Sequence, residues 1–198
     1  MPTALPDRTR RLAFDVRSLE LTDDAFYRLC QDNPELDIEL TADGELIVMT
    51  PAGAESGHCE ARIIQRLSNW SDENGEGIVF SSSAGFTLPN GARRAPDAAW
   101  ISRSRWNELT RSEQQVFAPI CPDFVVELRS PSDIVPELQA KLAEYIANGA
   151  SLGWLLDPTD RKAWIYRPAT PAACVEDPTI LDGAPVLPGF RFDFREIL

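Results

Sequence analysis

Histidine is almost missing from this chain: His58 is the only one in 198 residues. That excludes a two-histidine metal site and makes any Ser-His-Asp arrangement depend on a single side chain. Cysteine is sparse as well. Cys30, Cys59, Cys121 and Cys174 lie far apart and form no CxxC pair, so buried free thiols are expected rather than a zinc site or a disulfide framework. No apolar run approaches the length of a bilayer span. The opening MPTALPDRTRRLAFDV lacks the apolar segment of a secretory signal. A cytoplasmic protein with no membrane partner is expected. Positive charge is also scarce, with 19 Lys and Arg against 31 Asp and Glu and a formal net charge of −12. That argues against a protein that coats nucleic acid with a broad basic surface. It leaves room for an enzyme with a narrow, locally basic cleft, where bound metal would matter more for neutralising phosphate. The glycines form no phosphate loop and no dinucleotide fingerprint.

What is present is ordinary globular composition, 43% hydrophobic and 25% charged, enough for one domain. Residues 1–18 read as an arm, with Arg8, Arg10 and Arg11 among prolines and no periodicity. Residues 19–198 read as a single domain. Thr22 caps a predicted helix whose Phe26, Leu29 and Cys30 share a face. LDIELTADGELIVMTP is a hairpin signal turning at Asp43-Gly44. A helical period runs from about Glu55 to Glu73, closed by Asn74-Gly75. Short strands follow at Ile78–Phe80, Gly85–Leu88 and Ala98–Ile101, with a tight turn at Asn90-Gly91. Residues 102–118 read as two short polar helices anchored by Trp106, Leu109 and Phe117.

PDFVVELRS reads as a strand covered on both faces, because its apolar run has no polar side. Ser130-Pro131-Ser132-Asp133 is expected to cap the next helix. That helix tolerates Pro136 only in its first turn, presents Leu138, Leu142, Tyr145 and Ile146, and ends at Gly149. SLGWLLDP, KAWIYRP and the alternating tail give further strands, with Trp100, Trp154 and Trp164 expected in the core. The order fits an α/β (α+β) sandwich: a central twisted mixed sheet flanked by helices, with an N-terminal helix and hairpin. The apolar content of the C-terminal strands suggests a homodimer.

Glu127 is the sharpest chemical signal. A carboxylate inside a buried strand must be paired, protonated or bound to metal. An ion pair with Arg129, two residues on and on the same face, competes with a metal role. Asp97, after Pro96 at a strand start, is a weaker signal and by itself reads as a turn aspartate. Lys141 lies on the edge of its helix's apolar face and would snorkel to solvent unless the helix packs against the Glu127 strand. Glu39 is expected to face solvent. Glu55 and Glu60 are ordinary surface residues by default, and His58 a helix-surface one. Arg93 and Arg94 are candidates to meet phosphate, or else carboxylates and water.

APDAAWIS, PDFVVELRSPSD, KLAEYIANGASLGWLLDP and WIYRP together resemble the Uma-type restriction-endonuclease-like family of the PD-(D/E)XK nuclease superfamily. The likeness extends upstream to LTDDAFYRLC, IELTADGELIVMTP and GFTLPNG, and downstream to LPGFRFD. It implies a restriction-endonuclease-like fold and a Mg²⁺ or Mn²⁺ site. Pro96-Asp97 matches the first half of the motif and Glu127 the acid of the second, with the Leu128 carbonyl as a third metal oxygen. The superfamily's lysine is expected where this chain has Arg129, and arginine stays protonated. Lys141, in the matching KLAEY segment, would supply the amine from the next helix. An additional glutamate is expected from Glu60, Glu55 or Glu39. The implied function is endonucleolytic hydrolysis of nucleic acid, with DNA the expected substrate. The alternatives are a catalytically inactive interaction module for nucleic acid or protein, and a hydrolase of another phosphodiester.

Overall fold

The computed structural model describes residues 11–19, 21–49 and 53–198. Strand β1 (Arg11–Asp15) opens the described chain. The expected arm is therefore a strand over part of its length. Its hydrogen-bond partner, β3, lies about thirty or more residues away, and pairing of that kind leaves no local periodicity. The first ten residues lie outside the described ones. Helix α1 (Asp23–Asp32) begins at Thr22, whose Oγ1 accepts from the Ala25 N–H at 3.2 Å. The hairpin of β2 (Asp37–Leu40) and β3 (Glu45–Met49) turns as expected through Gly44, at φ 78°. Helix α2 (Ala54–Asn74) ends on Gly75 in the left-handed conformation.

Then come β4 (Gly77–Ser81), β5 (Phe86–Thr87), β6 (Arg93–Arg94) and β7 (Ala98–Ser102). The short helix α3 (Arg103–Glu108) and a single 3-10 turn, Glu113–Gln115, make the insert. Strand β8 (Phe124–Leu128), helix α4 (Val135–Ala147) and strand β9 (Leu152–Asp157) form one βαβ unit. The chain closes with β10 (Lys162–Tyr166), β11 (Ala173–Glu176), β12 (Ile180–Asp182), β13 (Arg191–Asp193) and a 3-10 turn, Phe194–Ile197. The Ser130–Asp133 stretch does not cap α4. Ile134 holds the cap position, and Asp133 instead accepts the Ser130 N–H at 2.7 Å within its own turn.

The central sheet has six strands in the order β11-β10-β9-β8-β7-β4, with β8 and β9 parallel and the other pairs antiparallel. Helix α2 covers one face through Cys59, Ile63, Leu67 and Trp70, against Trp100, Phe124, Val126 and Trp154. Helix α4 covers the other through Leu142 and Tyr145, against Ala99, Val125 and Leu155. Every residue of β8 is buried, because both faces are roofed. A second, antiparallel sheet runs β1-β3-β2-β6-β5, with Phe26 of α1 packed on Ile38 and Leu40. β12 and β13 form a separate pair. The C-terminal aromatics that suggested a dimer, Phe190, Phe192 and Phe194, are instead buried in the core under α2. Cys59 and Cys121 are buried thiols as expected, whereas Cys30 is half-buried and Cys174 exposed. Trp164 is also only half-buried. No helix among the described residues is long and apolar enough to cross a membrane.

Candidate active site

The β7·β8 register pairs Ala98 with Val126. One further step sets Asp97 opposite Glu127, and opposed residues share a face. That face also carries Val125 and is the one α4 covers. The βαβ crossover from β8 to parallel β9 lays α4 directly over this end of the strand. Lys141 therefore comes down onto Glu127 rather than out to water. Its Nζ donates to Glu127 Oε2 at 3.0 Å and to the Ala95 carbonyl at 3.1 Å. It lies 2.8 Å from Glu127 Oε1, yet Oε1 is buried without an aligned hydrogen bond.

Glu39 completes the group. It was expected to face solvent, but it is only 2% exposed, because the second sheet is covered on the side toward α4. Its Oε1 lies 2.8 Å from Lys141 Nζ and accepts the Ala95 N–H at 2.9 Å. Its Oε2 accepts from Arg94 Nη1 at 3.0 Å. Arg94 also donates through Nε to Glu144 Oε2 at 2.6 Å. Arg93 bridges to Asp23 and the Leu21 carbonyl and lies over the Phe26 ring. Neither arginine meets solvent as a phosphate contact would require. Both are buried and held by carboxylates. Glu144 escaped the reading of the sequence, although its place three residues after Lys141 puts both on one helix face.

Asp97 Oδ2 accepts the Leu128 N–H at 2.6 Å, so Asp97 is anchored to the strand that carries Glu127. Leu128's C=O leaves the strand on the same side as its N–H, toward Asp97 and past the last β7 pair. Burial pushes the Asp97 carboxyl up to about 7 and that of Glu127 up to about 8, against the pull of Lys141. Burial acts on Glu39 in the same direction, but Lys141 and Arg94 outweigh it and hold Glu39 ionised. Burial also disfavours the Lys141 charge, and Glu127, Glu39 and Asp97 together outweigh it, so its pKa stands above the ordinary value.

Arg129 does not reach Glu127. It pairs with Asp157 and Asp160, each at 2.6 Å, at the end of β9. The competing Glu127–Arg129 ion pair does not form, and Glu127 pairs with Lys141 instead. Glu60 lines the same cleft and accepts from Ser82 Oγ at 2.5 Å. Glu55 and His58 are exposed on α2 and stand away from the cleft lining. The cleft is about 1660 Å³ and opens between the two sheets.

The donor set fits a small hard cation. Among the described residues, Glu39, Glu127 and Glu144 share two cations, Lys141 and Arg94, and Asp97 pairs with neither, so four carboxyl groups face two positive charges. Among the described residues no three His, Cys, Asp or Glu side chains converge into a cluster able to hold a metal. Two carboxylates with a carbonyl and solvent suit Mg²⁺, which is commonly bound that way.

A family model described as "Putative restriction endonuclease", Uma2, matches residues 23–195. The chain belongs to the Uma2 family. A crystal structure from Anabaena variabilis, described as "a putative nuclease belonging to DUF820", superposes with a TM-score of 0.68 at 16% identity. The match covers 81% of this chain and 88% of the other. At that identity it establishes the shared mixed α/β architecture. No curated protein matches. The Uma2 match spans every residue of the Glu39, Asp97, Glu127 and Lys141 constellation.

Proposed function

We propose that this Uma2 chain is a metal-dependent endonuclease that hydrolyses phosphodiester bonds of DNA in the cytoplasm. The observation that carries the reading is the approach of the Lys141 amine to 2.8 Å from the Glu127 carboxylate, beside Asp97 in a cleft. A lysine supplied from the following helix thereby takes the place that Arg129 cannot fill, since arginine does not give up its proton. Asp97, Glu127 and the Leu128 carbonyl would hold Mg²⁺ or Mn²⁺. Such a cation supplies Lewis-acid polarisation of the phosphate and a lowered pKa for water. Lys141 orients the attacking water and offsets the charge that develops on the phosphate. Glu39 holds the lysine in place, and Arg94, tied to Glu144, fixes Glu39. The inactive-module reading would have gained from Arg129 bridging both acids, but Arg129 is engaged by Asp157 and Asp160 at the C-terminal end of β9.

The test is calorimetric titration of Mg²⁺ and Mn²⁺ into wild type and Glu127→Gln, followed by cleavage assays on oligonucleotides. Binding should vanish in Glu127→Gln. Asp97→Asn should lose cleavage while keeping its far-ultraviolet dichroism. Turnover unchanged in Asp97→Asn would sink the assignment.

A further inference from the structure

β1 is the outer strand of the five-stranded sheet, and among the described residues no strand pairs with its free edge. The direction of its hydrogen bonds is set by Val16, whose N–H donates to the Gly44 carbonyl at 2.9 Å. Alternation along the strand then turns the N–H and C=O of Phe14 and Leu12 toward β3, and those of Ala13 outward. Leu12 and Phe14 share one face and are 56% and 51% exposed. Val48 and Leu46 lie opposite them on β3. Soluble proteins normally guard such an edge with a central lysine, a proline or a bulge. The strand RLAFD carries none of these.

The residue order is self-complementary. Laid antiparallel on itself about Ala13, the arginine position 11 meets aspartate position 15, Leu12 meets Phe14, and Ala13 meets its own copy. Ala13 then falls at a hydrogen-bonded site and exchanges both bonds with its counterpart. Leu12 and Phe14 fall at non-hydrogen-bonded sites, where opposed side chains come closest. Of the other outer strands of the two large sheets, β5 has two residues, β11 reads ACVE, and β4, GIVFS, carries no opposite charges to pair.

We propose that β1 pairs with β1 of a second copy of this chain, about a two-fold axis through Ala13, joining the two five-stranded sheets into one. Such an axis stands perpendicular to the sheet and keeps each face on its own side. Both clefts then open in the same direction. Ala13 and Asp15 line the cleft, so the partner strand extends its wall. A five-residue edge is short, and the association is therefore concentration-dependent.

Sedimentation velocity over about 1 to about 200 µM tests this. Wild type should move from 22.0 kDa toward twice that mass. Ala13→Pro should remain monomeric with unchanged dichroism, because its N–H serves no bond to β3 and proline is tolerated where an edge N–H faces solvent. Should Ala13→Pro fail to fold, the double variant Leu12→Lys/Phe14→Lys decides, and it too should be monomeric. A wild type that stays monomeric throughout, or a dimer that persists in either folded variant, overturns the proposal. So does a monomer whose Ala13 amide is protected from hydrogen exchange, which would assign the edge to another segment.

Discussion

Burial favours the neutral form of a carboxyl group, and half-buried Asp97 and buried Glu127 both follow that rule. The consequence for stability has a definite sign. Their folded-state pKa values, about 7 and about 8, lie above the ordinary carboxylate range. Their stabilising contribution is therefore fully present below the unfolded pKa and is lost as pH rises through 7 to 8. Without divalent cation, the melting temperature should fall as pH is raised from about 5.5 to about 8.5. Added Mg²⁺ or Mn²⁺ should raise it more at the upper pH, where the carboxylates are ionised and free to bind. Thermal scans at the two pH values, with and without metal, check this. An equal metal effect at both would mean the cation binds elsewhere. Lys141 depends on the same pair. While Asp97 and Glu127 carry charge the amine is a poor proton acceptor, and neutralising them releases it.

At the scale of elements, the site depends on how closely α4 sits on β9. Gly153 lies beneath Leu142, and a Cβ there would come within 2.6 Å of Leu142 Cδ1. Leu142 is fully buried and has no room to retreat. Gly153→Ala should therefore cost about 1–3 kcal/mol, the usual range for overpacking. It should also lift α4 and weaken metal binding, although the substitution touches no ligand. Urea unfolding and calorimetry on the same variant measure both effects. The βαβ unit was legible in the sequence. PDFVVEL had no polar side, the α4 helix showed an apolar period of three and four, and Gly149 marked its end. β1 and β6 were not legible, nor was the way they join the predicted hairpin and β5 into one sheet, because two-residue and edge strands are defined by distant partners and carry no period of their own.

For the whole molecule, the decisive quantity is charge. The net charge is −12, and among the described residues the cleft is lined by only three cations, Arg17, Arg94 and Lys141. Each already has carboxylate partners: Asp15 for Arg17, Glu39 and Glu144 for Arg94, Glu39 and Glu127 for Lys141. Displacing few counterions, nucleic-acid binding should respond weakly to salt. A plot of log affinity against log salt should be shallower than about −3, the limit for about three phosphates neutralised. Fluorescence anisotropy across a salt series, using Ca²⁺ to hold cleavage back, measures that slope. A steeper slope would point to a basic surface outside the cleft.

The sequence alone determined the main helices and the central strands, and singled out Glu127. Those follow from local patterns: a carboxylate in an apolar run, a helical period, a turn residue. Asp97 and Lys141 became candidates through the family resemblance. It left Glu39, Glu55 and Glu60 as rivals, and left Arg129 as a partner for Glu127. Only the tertiary structure showed where these side chains sit and what they meet. Burial of Glu39 comes from its sheet meeting α4, the Arg129 side chain is captured by Asp157 across the parallel β9, and Arg94 is occupied by acids from two different elements. Which charge faces which is a long-range matter. A residue's sequence neighbours say what it can do, and its packing partners say whether it is free to do it.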